Sequence, residues 1–149
     1  MANEDVFQLG IKAAITNSDG AILLLKVNLE ELSGYQGEAY WDIPGGRIKR
    51  NQSTSETLQR EVLEETGLTV TDAGKLLGST ISNIRIPNNS GGDFGLVLFV
   101  YQCSVSNEQE VQLSSEHVDL WWASPEEASR ALSVKYPAEF AAMISDAGK

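Results

Sequence analysis

Arg60, Glu61, Glu64 and Glu65 stand in a stretch free of glycine and proline that runs to Thr66. On a helix, spacings of three and four residues bring Glu61, Glu64 and Glu65 to one face. Carboxylates so placed repel one another by roughly a few tenths of a kcal/mol per exposed pair, and by more where they are desolvated. Arg60 reaches Glu56 or Glu64 at four-residue spacing, but a single guanidinium does not neutralise the whole set. A hard divalent cation does, because all-oxygen sites of carboxylates and waters suit magnesium or manganese. The competing reading is a solvated acidic helix face, the usual fate of a charge run. Charge alone therefore points toward a metal without naming a reaction.

The elements that must position these acids can be read around them. Ser53, with Glu56 three residues on, makes a capping box that starts the helix, and Gly67 ends it as a left-handed C-cap. Leu58 and Val62 mark an apolar stripe beside the acids, so the acidic face borders the core-facing surface. Upstream, residues 10–16 and 21–27 are β-rich apolar runs joined by Asn17-Ser18-Asp19-Gly20, which predicts a hairpin of two antiparallel strands. Residues 39–43 are extended, Pro44 ends them, and Gly45-Gly46 supplies a corner. Downstream, residues 68–86 supply one or two strands, 87–93 a loop, and 95–104 and 118–123 two further strands. Ser124-Pro125-Glu126-Glu127 opens a helix through Leu132, and residues 137–145 form a last short one. Trp121 and Trp122 alternate across a strand, which predicts one packed inward and one near the surface. Mixed strands with so few helices exclude a doubly wound parallel sheet and imply an α+β sandwich.

The 149 residues fit one domain, taken as 1–149, and show no internal repeat. A hydrophobic share of 42% with no apolar run near the roughly 20 residues of a membrane span argues against insertion. The start of the chain carries Glu4 and Asp5 and lacks a basic, apolar export signal; with Cys103 alone and set among apolar neighbours, a reducing, cytoplasmic setting is expected. A net charge of −10 opposes a nucleic acid polymer but not a small phosphorylated ligand, since a divalent ion between carboxylates and phosphates reverses the local sign. His117 is the one histidine, so a zinc site of nitrogen and sulfur ligands is not expected. Nothing in the sequence indicates a homodimer or excludes one.

The segment from Gly46 to Leu68, GRIKRNQSTSETLQREVLEETGL, resembles the Nudix box, G-x5-E-x7-R-E-U-x-E-E-x-G-U with U aliphatic. Gly46, Arg60, Glu61, Val62, Glu64, Glu65, Gly67 and Leu68 fall on the defined positions, and only Gln52 departs, where the pattern has glutamate. Asn51 also replaces a glycine frequent before that glutamate. The preceding W-D-I-P-G-G and the later Glu116 ahead of V-D-L-W-W-A-S-P-E-E-A are similar to the family as well.

The resemblance implies an α/β/α sandwich around a mixed sheet, with the box as loop-helix-loop. It implies metal-dependent hydrolysis of a pyrophosphate linkage in a nucleoside diphosphate joined to another moiety. Glu61, Glu64 and Glu65 would hold magnesium, or manganese; Arg60 would orient a glutamate; Glu64 is the first choice of general base. Glu116 would be a further ligand or base, against the reading of a solvated loop acid. Gly46 would bring backbone near the metal, and Gln52 would at most weaken metal binding. From the residues themselves, the basic cluster of Arg47, Lys49 and Arg50 could meet phosphates, and Tyr40, Trp41 and Phe94 could stack a base, although strand aromatics commonly belong to the core. A nucleoside triphosphate or nucleotide-sugar type of substrate is preferred. The alternative from another class is a non-catalytic nucleotide-binding or regulatory module of the same fold, which has less need to keep all three helix acids.

Overall fold

The computed structural model describes residues 3–32 and 34–147. Strand β1 (Phe7–Ile15) runs parallel to the long β8 (Asp93–Val105), in register from Phe7 opposite Gly95 to Ile15 opposite Cys103. Its other edge pairs antiparallel with β4 (Gly45–Arg47). The far edge of β8 carries β5 (Val70–Asp72), β6 (Leu76–Ile81) and the short β7 (Ile86–Pro87), all antiparallel. A second sheet orders β3 (Trp41–Asp42), β2 (Ile22–Val27) and β9 (His117–Ala123).

Strands β1 and β2 are buried on both faces. Along β2, Ile22 and Leu24 enter one core cluster while Leu23 and Leu25 enter the other, as period-two alternation requires. The first cluster is covered by α2 (Pro125–Ala131) and α3 (Ala138–Ile144), through Ala128, Phe140 and Ile144. The second is covered by α1 (Thr54–Thr66), through Leu58 and Val62, and holds the buried Cys103. Helices thus flank a mixed sheet and an antiparallel one on both sides, the α/β/α arrangement expected. No helix among the described residues is long and apolar enough to cross a membrane.

Two expectations need correction. The turn at residues 17–20 forms, with Asn17 N–H donating to the Ala21 carbonyl at 3.0 Å and Asn17 Oδ1 accepting from Ala21 N–H at 2.9 Å. Beyond a single bridge between Thr16 and Ile22, however, β1 and β2 do not pair as a hairpin. Both edges of β1 are taken by β4 and β8, and both edges of β2 by β3 and β9, so the two strands part into different sheets. Trp121 and Trp122 do not divide into one inside and one outside residue either. Both are half-buried, Trp121 packed on the first cluster beside Trp41 and Trp122 on the second, because β9 is covered on both faces.

Candidate active site

The WDIPGG corner carries the chain from one sheet to the other. Trp41 and Asp42 pair with β2, Pro44 O accepts from Ala13 N–H at 2.8 Å, and Gly45 and Gly46 then lie along β1. Gly45 has φ +150, and a Cβ there would collide with the carbonyl of Ile11. A Cβ on Gly46 would lie 2.5 Å from the carboxyl of Glu61. Position 45 therefore requires glycine, for its backbone conformation and its contact with β1, whereas a side chain at Gly46 would displace the Glu61 carboxyl.

Helix α1 brings the acids to this corner. Ser53 Oγ accepts from Glu56 N–H and Glu56 Oε1 from Ser53 N–H, each at 3.1 Å, while Gly67 closes the helix at φ 73. Glu65 is buried at 3% exposure and its Oε2 accepts from Gly45 N–H at 3.2 Å. Burial pushes its carboxyl up to about 8, against the opposing pull of Lys12 and the Gly45 amide. Glu61 is also raised, by burial first, with Arg60 pulling it down and Glu64 pushing it up. Arg60 Nη1 donates to Glu61 Oε1 at 2.9 Å and stands 3.8 Å from Glu64 Oε2; Nη2 donates to the Arg47 carbonyl at 3.4 Å. The side chain of Glu64 is 57% exposed. Arg60 thus fixes Glu61 and the box loop more closely than it does Glu64. Buried carboxylates short of compensating positive charge fit a divalent cation, which supplies it.

Glu116, in the loop before β9, joins this group. One ligand atom each of Glu65, Glu116 and His117 lie within 4.8 Å of one another. A cavity of about 430 Å3 opens over Gly45, Gly46, Arg47, Lys49, Glu61 and Glu116. Arg47 donates to Gln8 Oε1 at 3.0 Å and its guanidinium lies 5.6 Å from the ring centre of Phe94. Arg50 does not line this cavity. Phe94 itself is core, whereas Tyr40, buried and edge-on to Tyr35 at 5.4 Å, lines a neighbouring cleft of about 390 Å3 with Arg47, Ile84 and Pro87. Asn51 takes φ 65, the left-handed conformation that asparagine tolerates next best after glycine. Gln52 Oε1 and Arg60 Nε are buried without hydrogen-bond partners.

Behind Glu65 lies a buried network that the sequence did not reveal. Asp42 Oδ2 accepts from Lys12 Nζ at 3.2 Å and Lys135 Nζ at 2.7 Å, and Oδ1 accepts from Tyr136 OH at 2.8 Å. Burial would raise this carboxyl, but the two ammonium groups outweigh it and hold it well below the usual range. These residues and His117 border a smaller space of about 180 Å3 shared with Glu65 and Glu116. A lysine inside the apolar run GIKAAI was the one available signal; its partners lie 30 and more residues away.

The NUDIX domain model matches residues 6–143. A MutT-like protein of Streptomyces ambofaciens is 24% identical over 140 residues, covering 94% of this chain and 79% of that protein. A CTP pyrophosphohydrolase of Escherichia coli (strain K12) is 27% identical over 118 residues, covering 79% of this chain and 77% of the relative. The crystal structure of a MutT protein from Methanosarcina mazei Go1 superposes with a TM-score of 0.70 at 27% identity, covering 95% of this chain and 92% of that one. Box, corner, sandwich and family match agree, and the chain belongs to the Nudix hydrolase family.

Proposed function

We infer that this Nudix hydrolase cleaves a pyrophosphate linkage in a nucleoside diphosphate joined to another moiety, with magnesium as cofactor. The observation that carries the reading is Glu65, buried and fixed on the Gly45 amide, with Glu116 beside it and Glu61 coupled to it. Magnesium bound to Glu61, Glu64 and Glu65 would neutralise bridging phosphates and acidify the attacking water. The residues divide the remaining work. Arg60 holds Glu61 in place, Gly46 leaves room for that carboxyl, and Arg47 and Lys49 draw the phosphates into the cavity. Glu64, with its side chain 57% exposed, takes the proton of the attacking water as general base. Tyr40, with the cleft beside Arg47, receives the nucleoside. A nucleoside triphosphate substrate is favoured over a nucleotide sugar, on the similarity to a protein named a CTP pyrophosphohydrolase.

A phosphate-release and pyrophosphate-release screen over a nucleotide panel with magnesium tests this. Glu64→Gln is expected to lower turnover about 100-fold or more, and Glu65→Gln to raise the magnesium requirement as well. Undiminished turnover in Glu64→Gln would remove it as the base. No turnover of any nucleotide by wild type would leave the non-catalytic binding module as the better reading.

A further inference from the structure

The box reading uses Glu65 and Glu116 as oxygen donors and leaves His117 without a task. His117 opens β9, its N–H donating to the Ser114 carbonyl at 3.3 Å. Glu116 is anchored just before it, its carbonyl accepting from Asn28 N–H at 2.9 Å and its N–H donating to Ser114 Oγ at 3.3 Å. Glu65 approaches from α1 and is held by the Gly45 amide. Helix α1 and the start of β9 thus bring three donor atoms within 4.8 Å of one another.

A second observation is independent of that convergence: His117 Nδ1 is buried and has no hydrogen-bond partner among the described residues. A buried polar atom left unpaired is destabilising, and in a native protein it calls for an unseen partner. The charged groups lining the space beside the imidazole are Lys12, Lys135, Asp42, Glu31, Glu65 and Glu116. Both lysines are engaged by the one carboxylate of Asp42, at 3.2 and 2.7 Å.

We propose that Glu65, Glu116 and His117 form a three-ligand cation site whose imidazole favours a borderline divalent ion of the cobalt, nickel or zinc class over magnesium. This rests on the reading that the box acids hold metal, and it adds which ion the inner position prefers. Imidazole suits those ions, whereas magnesium takes oxygen ligands almost exclusively. A lone histidine in the sequence argued against a zinc site of nitrogen and sulfur ligands; the fold places that histidine against two acids.

The test uses untagged, metal-stripped protein without nucleotide, titrated with cobalt chloride and, in parallel, magnesium chloride. Since His117 is the one histidine, its imidazole protons give a single assignable set of resonances. Cobalt is expected to displace that set strongly by its paramagnetism, and magnesium to leave it nearly in place. By calorimetry, His117→Gln is expected to weaken cobalt about tenfold or more and magnesium by much less. Imidazole resonances unmoved at saturating cobalt would overturn the site, and this readout on wild type does not depend on a variant folding. Equal weakening of both ions in a folded His117→Gln would overturn the preference. Neither measurement involves hydrolysis. Shifted imidazole signals together with selectively weakened cobalt binding in folded His117→Gln, in a protein that hydrolyses no nucleotide, would uphold the site and sink the catalytic reading; unmoved signals with magnesium-dependent turnover would do the reverse.

Discussion

Asp42 accepts two hydrogen bonds on each carboxylate oxygen, from Ile43 N–H and Tyr136 OH on one and from Lys12 and Lys135 on the other. Its exposure is 4% and that of Lys12 is 5%, so these charges meet little water. Replacing a buried ion pair as a whole is tolerated, but removing one member strands the others. Asp42→Ala would leave two ammonium groups and a phenol without their acceptor beside the active site. The expected loss is about 3 to 5 kcal/mol of unfolding free energy, read from urea denaturation. A loss under about 1 kcal/mol would mean that both lysines reach solvent when Asp42 is gone. The network also bears on catalysis, because Lys12 opposes the burial that raises Glu65 and Glu61. A loss of Asp42 thus changes the field at the acids as well as the stability.

Helix α1 is where sequence and structure agree most closely, and the reason is that everything specifying it is local. The capping box, the apolar pair Leu58 and Val62, and the left-handed Gly67 all lie within the helix or one residue beyond it. Ser53→Ala should therefore destabilise by about 1 kcal/mol through the lost acceptor for Glu56 N–H. Urea denaturation of Ser53→Ala against wild type measures this, and an unchanged midpoint would show that the packing of Thr57 and Leu58 alone holds the helix start. Elements whose identity depends on distant partners were less legible. The strands β1 and β2 were visible as apolar runs, but not their separation into two sheets, since which strand claims an edge is decided by β8 and β9, far along the chain. The same holds at the site. Arg60, Glu61, Glu64 and Glu65 were readable from their spacing, whereas Lys12, Lys135 and His117 acquire meaning only through contacts with residues on other elements. Glu116 was readable only by likeness to a family, its loop having no local signature.

At the scale of the molecule, burial of acids in a chain of net charge −10 makes stability depend on pH and on metal in a linked way. Glu65 is raised to about 8 from 4.5, so the folded state keeps a proton that the unfolded state has released. Its contribution is complete below pH 4.5 and is lost as pH rises toward 8. His117 is lowered to about 4 from 6.5 by burial and Lys12, so the unfolded state holds the extra proton and stability gains as pH rises through that window. The two effects oppose each other between pH 4.5 and 6.5, and above 6.5 only that of Glu65 remains. Metal-free protein in EDTA is therefore expected to lose stability between pH 6.5 and 8, measured by urea denaturation at both values. Glu65→Gln, which cannot ionise, should abolish the slope. Added magnesium should flatten it too, because a cation that binds ionised Glu65 in the folded state alone stabilises that state by mass action. A slope that persists unchanged in Glu65→Gln would place the titrating group elsewhere, and a slope indifferent to magnesium would separate Glu65 from the metal site.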